Sequence, residues 1–311
     1  MNYAREPKAD PRQFSGNLYR FHSAKHFDTY PDSFYKNFIE TRSKFQTQQR
    51  FAGRYSHCGF YFAGSEGVAI AETLFYSGVN DSRDLTKVSP NDMLAMQKDK
   101  ARLFLTVNIT IDNLLDFTDS STVEEFLRFG SLKWKGPTPE YQVQLLAALI
   151  SNDPGGSELT DILGLDAKSA GYKGVIFPSV RALLFDGPTP GKIRLNLESI
   201  RHMSTAGNIM DLHWHAVEQM KREFNIVVFS GVELTRSIHS ISWIDSGNKT
   251  GTVKNPYYGA TDELIELARL RDRAHRGLDP VAAAEEGLLT EIEMINEFDC
   301  EMIVTHDTKV I

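Results

Sequence analysis

The chain has 311 residues with 34 basic and 41 acidic side chains, a formal net charge of −7. Its 41% hydrophobic and 24% charged composition is that of a folded globular chain, which excludes bulk disorder. The charge is uneven: residues 256–311 carry 13 acidic and 5 basic side chains, leaving 28 acidic and 29 basic in the rest. That near-neutral body excludes a general nucleic-acid binder, which needs an excess of Lys and Arg to neutralise phosphates.

In chain order, Leu18–Phe21 reads as a short strand and Asp32–Phe45 as a helix with Phe34, Phe38 and Phe45 on one side. Gly59–Phe62 (GFYF) is an aromatic strand, followed by a polar turn and an apolar helix from Val68 to about Tyr76. Arg102–Ile111 (RLFLTVNITI) is a long strand rich in β-branched residues. A helix is expected at Pro139–Ser151, left at SNDPGG, then a buried strand at Gly174–Phe177 (GVIF). Asn208–Glu223 reads as a helix, Asn225–Phe229 (NIVVF) as a buried strand and Ile238–Ile244 as another strand. Residues 245–258, rich in Gly, Asn and Pro, read as a linker. Helices at Thr261–His275, Pro280–Glu286 and Leu289–Phe298 and a strand at Met302–Thr305 complete a mixed α+β chain without βαβ alternation.

Membrane and secreted classes fit poorly. Apolar stretches such as Leu145–Ile150 are far shorter than the roughly 20 residues of a membrane span. The opening residues lack an apolar signal region, and two cysteines, Cys58 and Cys300, make neither a disulfide framework nor a Cys-based zinc site. A cytoplasmic protein is expected, either kept there or delivered into a target cell as an effector.

Most catalytic motifs are absent or incomplete. No GxGxxG follows a strand. Gly187–Lys192 (GPTPGK) is too short for a P-loop, with Ile193 where Ser or Thr belongs. His213 and His215 are read on a helix, where residues two apart do not share a face. Ala63-Gly-Ser-Glu-Gly67 lies between strand and helix as a serine hydrolase's nucleophile elbow does; the plainer reading makes Ser65 the helix N-cap, with Glu66 near the positive end of the dipole.

The helix that follows carries a misplaced carboxylate. Val68, Ala71, Glu72 and Phe75 fall on one helical face, so Glu72 sits on an apolar stripe. A carboxylate there must be paired, neutral or placed at a cleft. Arg50 and Arg54 are candidate partners, or candidate ligands for an anionic substrate beside it. Ser179 directly follows GVIFP at a strand end, where loops build sites, and is otherwise a turn serine.

Taken in order, these segments resemble a known family. Leu18-Tyr-Arg20, Arg50-Phe-Ala-Gly53, Gly59-Phe-Tyr-Phe-Ala63, Ala69-Ile-Ala-Glu-Thr-Leu74, Gly171-Tyr-Lys-Gly-Val-Ile-Phe-Pro-Ser179 and Asn225-Ile-Val-Val-Phe229 are similar to the RES domain, the NAD-consuming toxin component of bacterial toxin–antitoxin pairs. The resemblance runs from about Leu18 to Gly231. It implies an ADP-ribosyltransferase-like fold: a split, twisted β-sheet core with surrounding helices, here with a helical C-terminal extension. It implies cleavage of the nicotinamide–ribose bond of NAD by hydrolysis or phosphorolysis, or transfer of ADP-ribose to a protein, without a metal. By the same resemblance Glu72, Arg50 and Ser179 are catalytic, and Arg20, Arg54, Tyr61 and Asn225 bind NAD; Arg54 is the alternative to Arg50 as the family arginine. The long gap from Glu72 to Gly171 implies an insertion around 80–168 in a domain spanning 1–245. Residues 246–311 then form a linker and an acidic helical extension. An antitoxin or immunity protein, or a second copy of the chain, is the expected macromolecular partner.

Overall fold

The computed structural model of the chain describes residues 10–27, 59–76, 88–98, 101–119, 122, 154–179 and 222–265. Its strands are β1 (Arg12–Ser23), β2 (Phe60–Ala63), β3 (Arg102–Asp116), β4 (Gly174–Pro178), β5 (Phe224–Val228), β6 (Ile238–Asp245) and β7 (Thr250–Lys254). Helices α1 (Glu66–Tyr76), α2 (Pro90–Met96), α3 (Pro154–Ser169) and α4 (Gly231–Ser237) lie between them. No helix among the described residues is long and apolar enough to cross a membrane.

The strands form one sheet in the order β1-β2-β5-β4-β3-β6-β7, and β1 also pairs with β3. That extra pairing closes β1, β2, β5, β4 and β3 into a ring, which β6 and β7 extend as a hairpin. The central strand is β3. It runs antiparallel to β1 from Phe14↔Ile111 to Ser23↔Arg102. Its first half also pairs with β6, Leu103↔Asp245 through Ile109↔Ile238, and its end runs parallel to β4, Leu114↔Gly174 through Asp116↔Ile176. The changeover falls at a bulge. Asn113 has φ +55°, a left-handed conformation that Asn tolerates better than most residues, and its amide donates to the Gly171 carbonyl at 2.6 Å.

Period-two alternation sorts the side chains. Leu18, Phe60, Phe62, Leu105, Val107, Ile109, Ile176, Ile226 and Val228 fill the ring interior. The opposite face of the sheet carries a second apolar layer. There Val68, Ile70, Ala71 and Leu74 of α1 pack with Met93 and Leu94 of α2 against Ala63, Phe104, Tyr19 and Phe21. Each large side chain so buried contributes about 1.5–3 kcal/mol. The start of α2 is fixed by a capping box: Ser89 accepts from Asp92 N at 3.2 Å, and Asp92 accepts from Ser89 N at 2.8 Å, with Pro90 in the first turn.

Two expectations about organisation change. The stretch around 80–168, expected as an insertion, contains β3, which pairs with β1, β4 and β6 and so belongs to the sheet. Residues 245–258 are a hairpin turn and β7 rather than a linker, with β7 paired to β6 from Ser240↔Lys254 to Ile244↔Thr250. Asn255 then anchors the chain, donating its side-chain amide to the Thr235 and Ile238 carbonyls. The helices expected at 32–45, 139–151, 280–286 and 289–298 and the strand at 302–305 lie outside the described residues, as does most of the one at 208–223. Of the expected 261–275 helix, only 261–265 is described, and 262–265 is helical.

Candidate functional site

The site begins where β2 turns into α1. Gly64 N donates to the Phe224 carbonyl at 2.8 Å, extending the β2–β5 ladder by one residue. A Cβ on Gly64 would lie 2.6 Å from the Phe224 ring, so any side chain there would have to displace that ring. Ser65 Oγ accepts from Val68 N at 3.2 Å and the Ser65 carbonyl accepts from Ala69 N at 3.1 Å. Ser65 is thus the expected N-cap, with Glu66 in the first turn of α1. It is not among the positive-φ residues, and a nucleophile elbow holds its serine on a strained turn.

Two helical turns beyond the cap, α1 delivers Glu72 to the end of the sheet. Its carboxylate is half-buried. Oε1 accepts from Ser179 Oγ at 2.9 Å and from Asn225 Nδ2 at 2.8 Å. These partners are 107 and 153 residues away in sequence, so only the strand register brings them together.

That register is explicit. Ala63 (β2), Asn225 (β5) and Phe177 (β4) are directly opposed across three neighbouring strands, as are Tyr61, Val227 and Val175. Past the Pro178↔Phe224 pair, Ser179 N donates to the Glu223 carbonyl at 2.8 Å, which holds Ser179 one step beyond the strand end. Alternation therefore puts Tyr61, Ala63, Phe177, Ser179, Glu223 and Asn225 on one face, the face that α1 covers. The interior is tight: Ser179 is fully buried and Asn225 is 7% exposed. Tyr61 meets the Phe177 ring edge-on, with centroids 6.3 Å apart.

Of the residues expected to act, the structure brings together Glu72, Ser179 and Asn225, with Tyr61 on the same face. Arg20 is placed differently. Its guanidinium lies over the Phe62 ring, 5.9 Å from the centroid. Phe62 and Leu18 are ring-interior residues, whereas Tyr19 and Phe21 face α1, so Arg20 belongs to the opposite side of the sheet. Arg50 and Arg54 lie outside the described residues, as do His213, His215 and the 187–192 segment.

Sequence reasoning missed Glu223. It was read as the last residue of a helix, yet it is 3% exposed, opposite Ser179 and on the site face. The signal was an acidic residue directly before an apolar strand, where the chain enters the core. Among the described residues no three His, Cys, Asp or Glu side chains group as metal ligands.

Chemically, the arrangement is a half-buried carboxylate with one oxygen accepting from two donors. Hydrogen bonds to a charged acceptor contribute about 1.5–3 kcal/mol each, enough to hold Glu72 in one rotamer. A carboxylate so held can accept a hydrogen bond from a hydroxyl or face a developing positive charge. No protein-family model matches the chain, and no curated protein matches it in sequence.

Proposed function

We propose that the protein is an NAD-consuming enzyme of toxin type that cleaves the nicotinamide–ribose bond. The observation that carries this reading is the convergence of Ser179 and Asn225 on Oε1 of Glu72. The resemblance to the RES domain names that same glutamate and serine, and kinship with ADP-ribosyltransferase toxins belongs to the same proposal.

The chemistry suits a fixed carboxylate. Nicotinamide in NAD is a cationic pyridinium, so the C1′–N bond breaks with both electrons passing to the ring nitrogen and no proton needed. Positive charge then develops on the ribosyl carbon and ring oxygen, as in glycoside cleavage. Glu72 would accept a hydrogen bond from a ribose hydroxyl and offset that charge. In a low-dielectric setting this interaction is stronger than in water. Water or phosphate then forms the new bond to C1′ and, in the case of water, releases its proton to solvent. Tyr61, backed by Phe177, would bound the nicotinamide pocket. Ser179 donates a hydrogen bond to Glu72, and in this reading it helps to hold the carboxylate. Arg20's position leaves the pyrophosphate to Arg50 or Arg54.

The test is incubation of purified protein with NAD, with and without phosphate, followed by product analysis. Free nicotinamide with ADP-ribose indicates hydrolysis, and ADP-ribose 1-phosphate indicates phosphorolysis. Label from NAD on protein would shift the reading to ADP-ribose transfer at the same site. No release of nicotinamide under any of these conditions would sink the proposal.

A further inference from the structure

We propose that Phe224 is a positioning residue for Glu72: its phenyl group, laid over Gly64, sets the course on which α1 leaves the sheet and so where the Glu72 carboxylate stands. The inference rests on the reading of Glu72 as the group that meets the ribosyl charge.

Helix α1 starts from a short strand. β2 is four residues long, and its ladder to β5 is lengthened by Gly64 N, which donates to the Phe224 carbonyl at 2.8 Å. Gly64 thus stands opposite Phe224, and the phenyl group lies across it. The three heavy atoms nearest to a Cβ built on Gly64 all belong to that phenyl group, two at 2.6 Å and one at 2.9 Å. The phenyl group is itself backed. Phe14 of β1 meets it edge-on with centroids 6.0 Å apart, and both pack against the core inside the strand ring. On the other face Ser65 caps α1, its Oγ accepting from Val68 N at 3.2 Å. Further along, apolar side chains hold α1 to the sheet, and such contacts are not directional.

Distance turns this hold into leverage. Glu72 is seven residues beyond Ser65. At 1.5 Å per residue that is a rise of about 10 Å, so a tilt of about 10° at the start of α1 moves the Glu72 end by about 2 Å. A displacement of about 1 Å is enough to slow a reaction by about 10²-fold. A methyl on Gly64 and the phenyl group cannot both keep their places. With Phe14 behind the phenyl group, part of the displacement passes into the turn, and α1 carries it to Glu72.

The experiment uses the full chain in four forms: wild type, Gly64→Ala, Phe224→Val and both changes together. A valine stops short of the ring atoms that the methyl would strike, and its β-branch suits a strand. Phe224 directly precedes Asn225, so the methyl is judged within each background, where any effect of the valine on Asn225 is common to both members. Thermal melting establishes which forms are folded. The readouts are NAD turnover and, in 15N-labelled protein, the backbone amide signals of α1. With Phe224 present, Gly64→Ala is expected to lower kcat at least about tenfold, to change KM less than about threefold and to shift the α1 signals as far as Glu72. In the Phe224→Val background the same methyl is expected to change kcat less than about threefold and to leave the α1 signals in place. Phe224→Val alone is expected to lower kcat by about threefold or more, since the turn has lost one of its two holds. An unchanged kcat in Gly64→Ala or in Phe224→Val overturns the proposal, as does a loss of equal size from the methyl in both backgrounds. Should Gly64→Ala not fold, the pair must still fold as Phe224→Val does; a pair that also fails overturns the proposal, because the methyl then strikes something other than the phenyl group. A wild-type protein that leaves NAD intact refutes the proposed function. The α1 signals then decide the positioning alone: a Gly64→Ala shift that the valine background abolishes upholds it, and any other pattern overturns it.

Discussion

Asp116 and Glu72 are both drawn out of water at strand or helix ends, and they are held in different ways. Asp116 closes the ring at the far end of β3. Its Oδ1 accepts from Thr118 N at 2.9 Å and from Thr118 Oγ1 at 2.6 Å, and its Oδ2 takes the Arg12 guanidinium from the start of β1. Glu72 takes a hydroxyl and a side-chain amide. An arginine cancels a carboxylate's charge where it stands, so Asp116 serves to fasten one strand to another. Neutral donors fix a carboxylate's direction without adding a positive charge of their own.

Exchanging these properties separates the two roles. The largest effect is expected at Glu72→Gln, which keeps the size of the side chain and removes its charge. NAD turnover should fall by about 10²–10³-fold with the melting temperature nearly unchanged, measured by nicotinamide release and calorimetry. Next is Asp116→Ala, which frees Arg12 and strips Thr118 of its acceptor. It should cost about 2 kcal/mol in urea denaturation, with turnover per folded molecule preserved. Equal loss of activity in both variants would erase the distinction. Ser179→Ala should lower kcat by about tenfold, since one donor to Glu72 remains. The smallest effect concerns the outer ion pairs. Lys173 Nζ lies 2.6 Å from Asp112 and 2.8 Å from Glu233. The lysine's hydrogen bond holds the Asp112 carboxyl below its usual range. A carboxyl depressed in the folded state adds stability above its unfolded value and loses it as pH falls through the folded one. Asp112 is largely exposed, so Asp112→Asn should reduce the acid-side loss of melting temperature by a small, salt-sensitive amount, below about 1 kcal/mol.

How legible these regions were follows from their physics. The strands at 60–63, 174–178 and 224–228 are runs of apolar, largely β-branched and aromatic residues buried on both faces, and such runs stand out, as does the β-branched 102–116 strand although its Asn108 and Asp112 face water. Only the later part of β1 was read, because Ser15 and Asn17 alternate with apolar neighbours toward water. β7 was missed for a packing reason. A Cβ on Gly251 would lie 2.6 Å from the Trp243 indole across the ladder, so the glycine that looked like a linker residue is what lets the tryptophan lie flat. Helix α3 begins at Pro154-Gly-Gly, which reads as a turn, and α2 was overlooked although Ser89, Pro90 and Asp92 spell its capping box. In the site, Glu72 was visible as a charge on an apolar face. Its meeting with Ser179 and Asn225 was not, because nothing local encodes the pairing of β2, β5 and β4. Resemblance supplied the residues, and the register supplied their contact. Alternation, applied to Arg20, would have separated it from Tyr61 in advance.

The threading of the ring also bears on when the protein can act during its own synthesis. The first strand must wait some ninety residues for β3, and β2, paired with β1, gains its second neighbour only when β5 has been made. Two donors to Glu72 are Ser179, directly after β4, and Asn225, the second residue of β5. A nascent chain that has not reached residue 225 therefore holds the glutamate without its amide donor and the barrel without its middle stave. Translation must run past that point before Glu72 can meet Asn225.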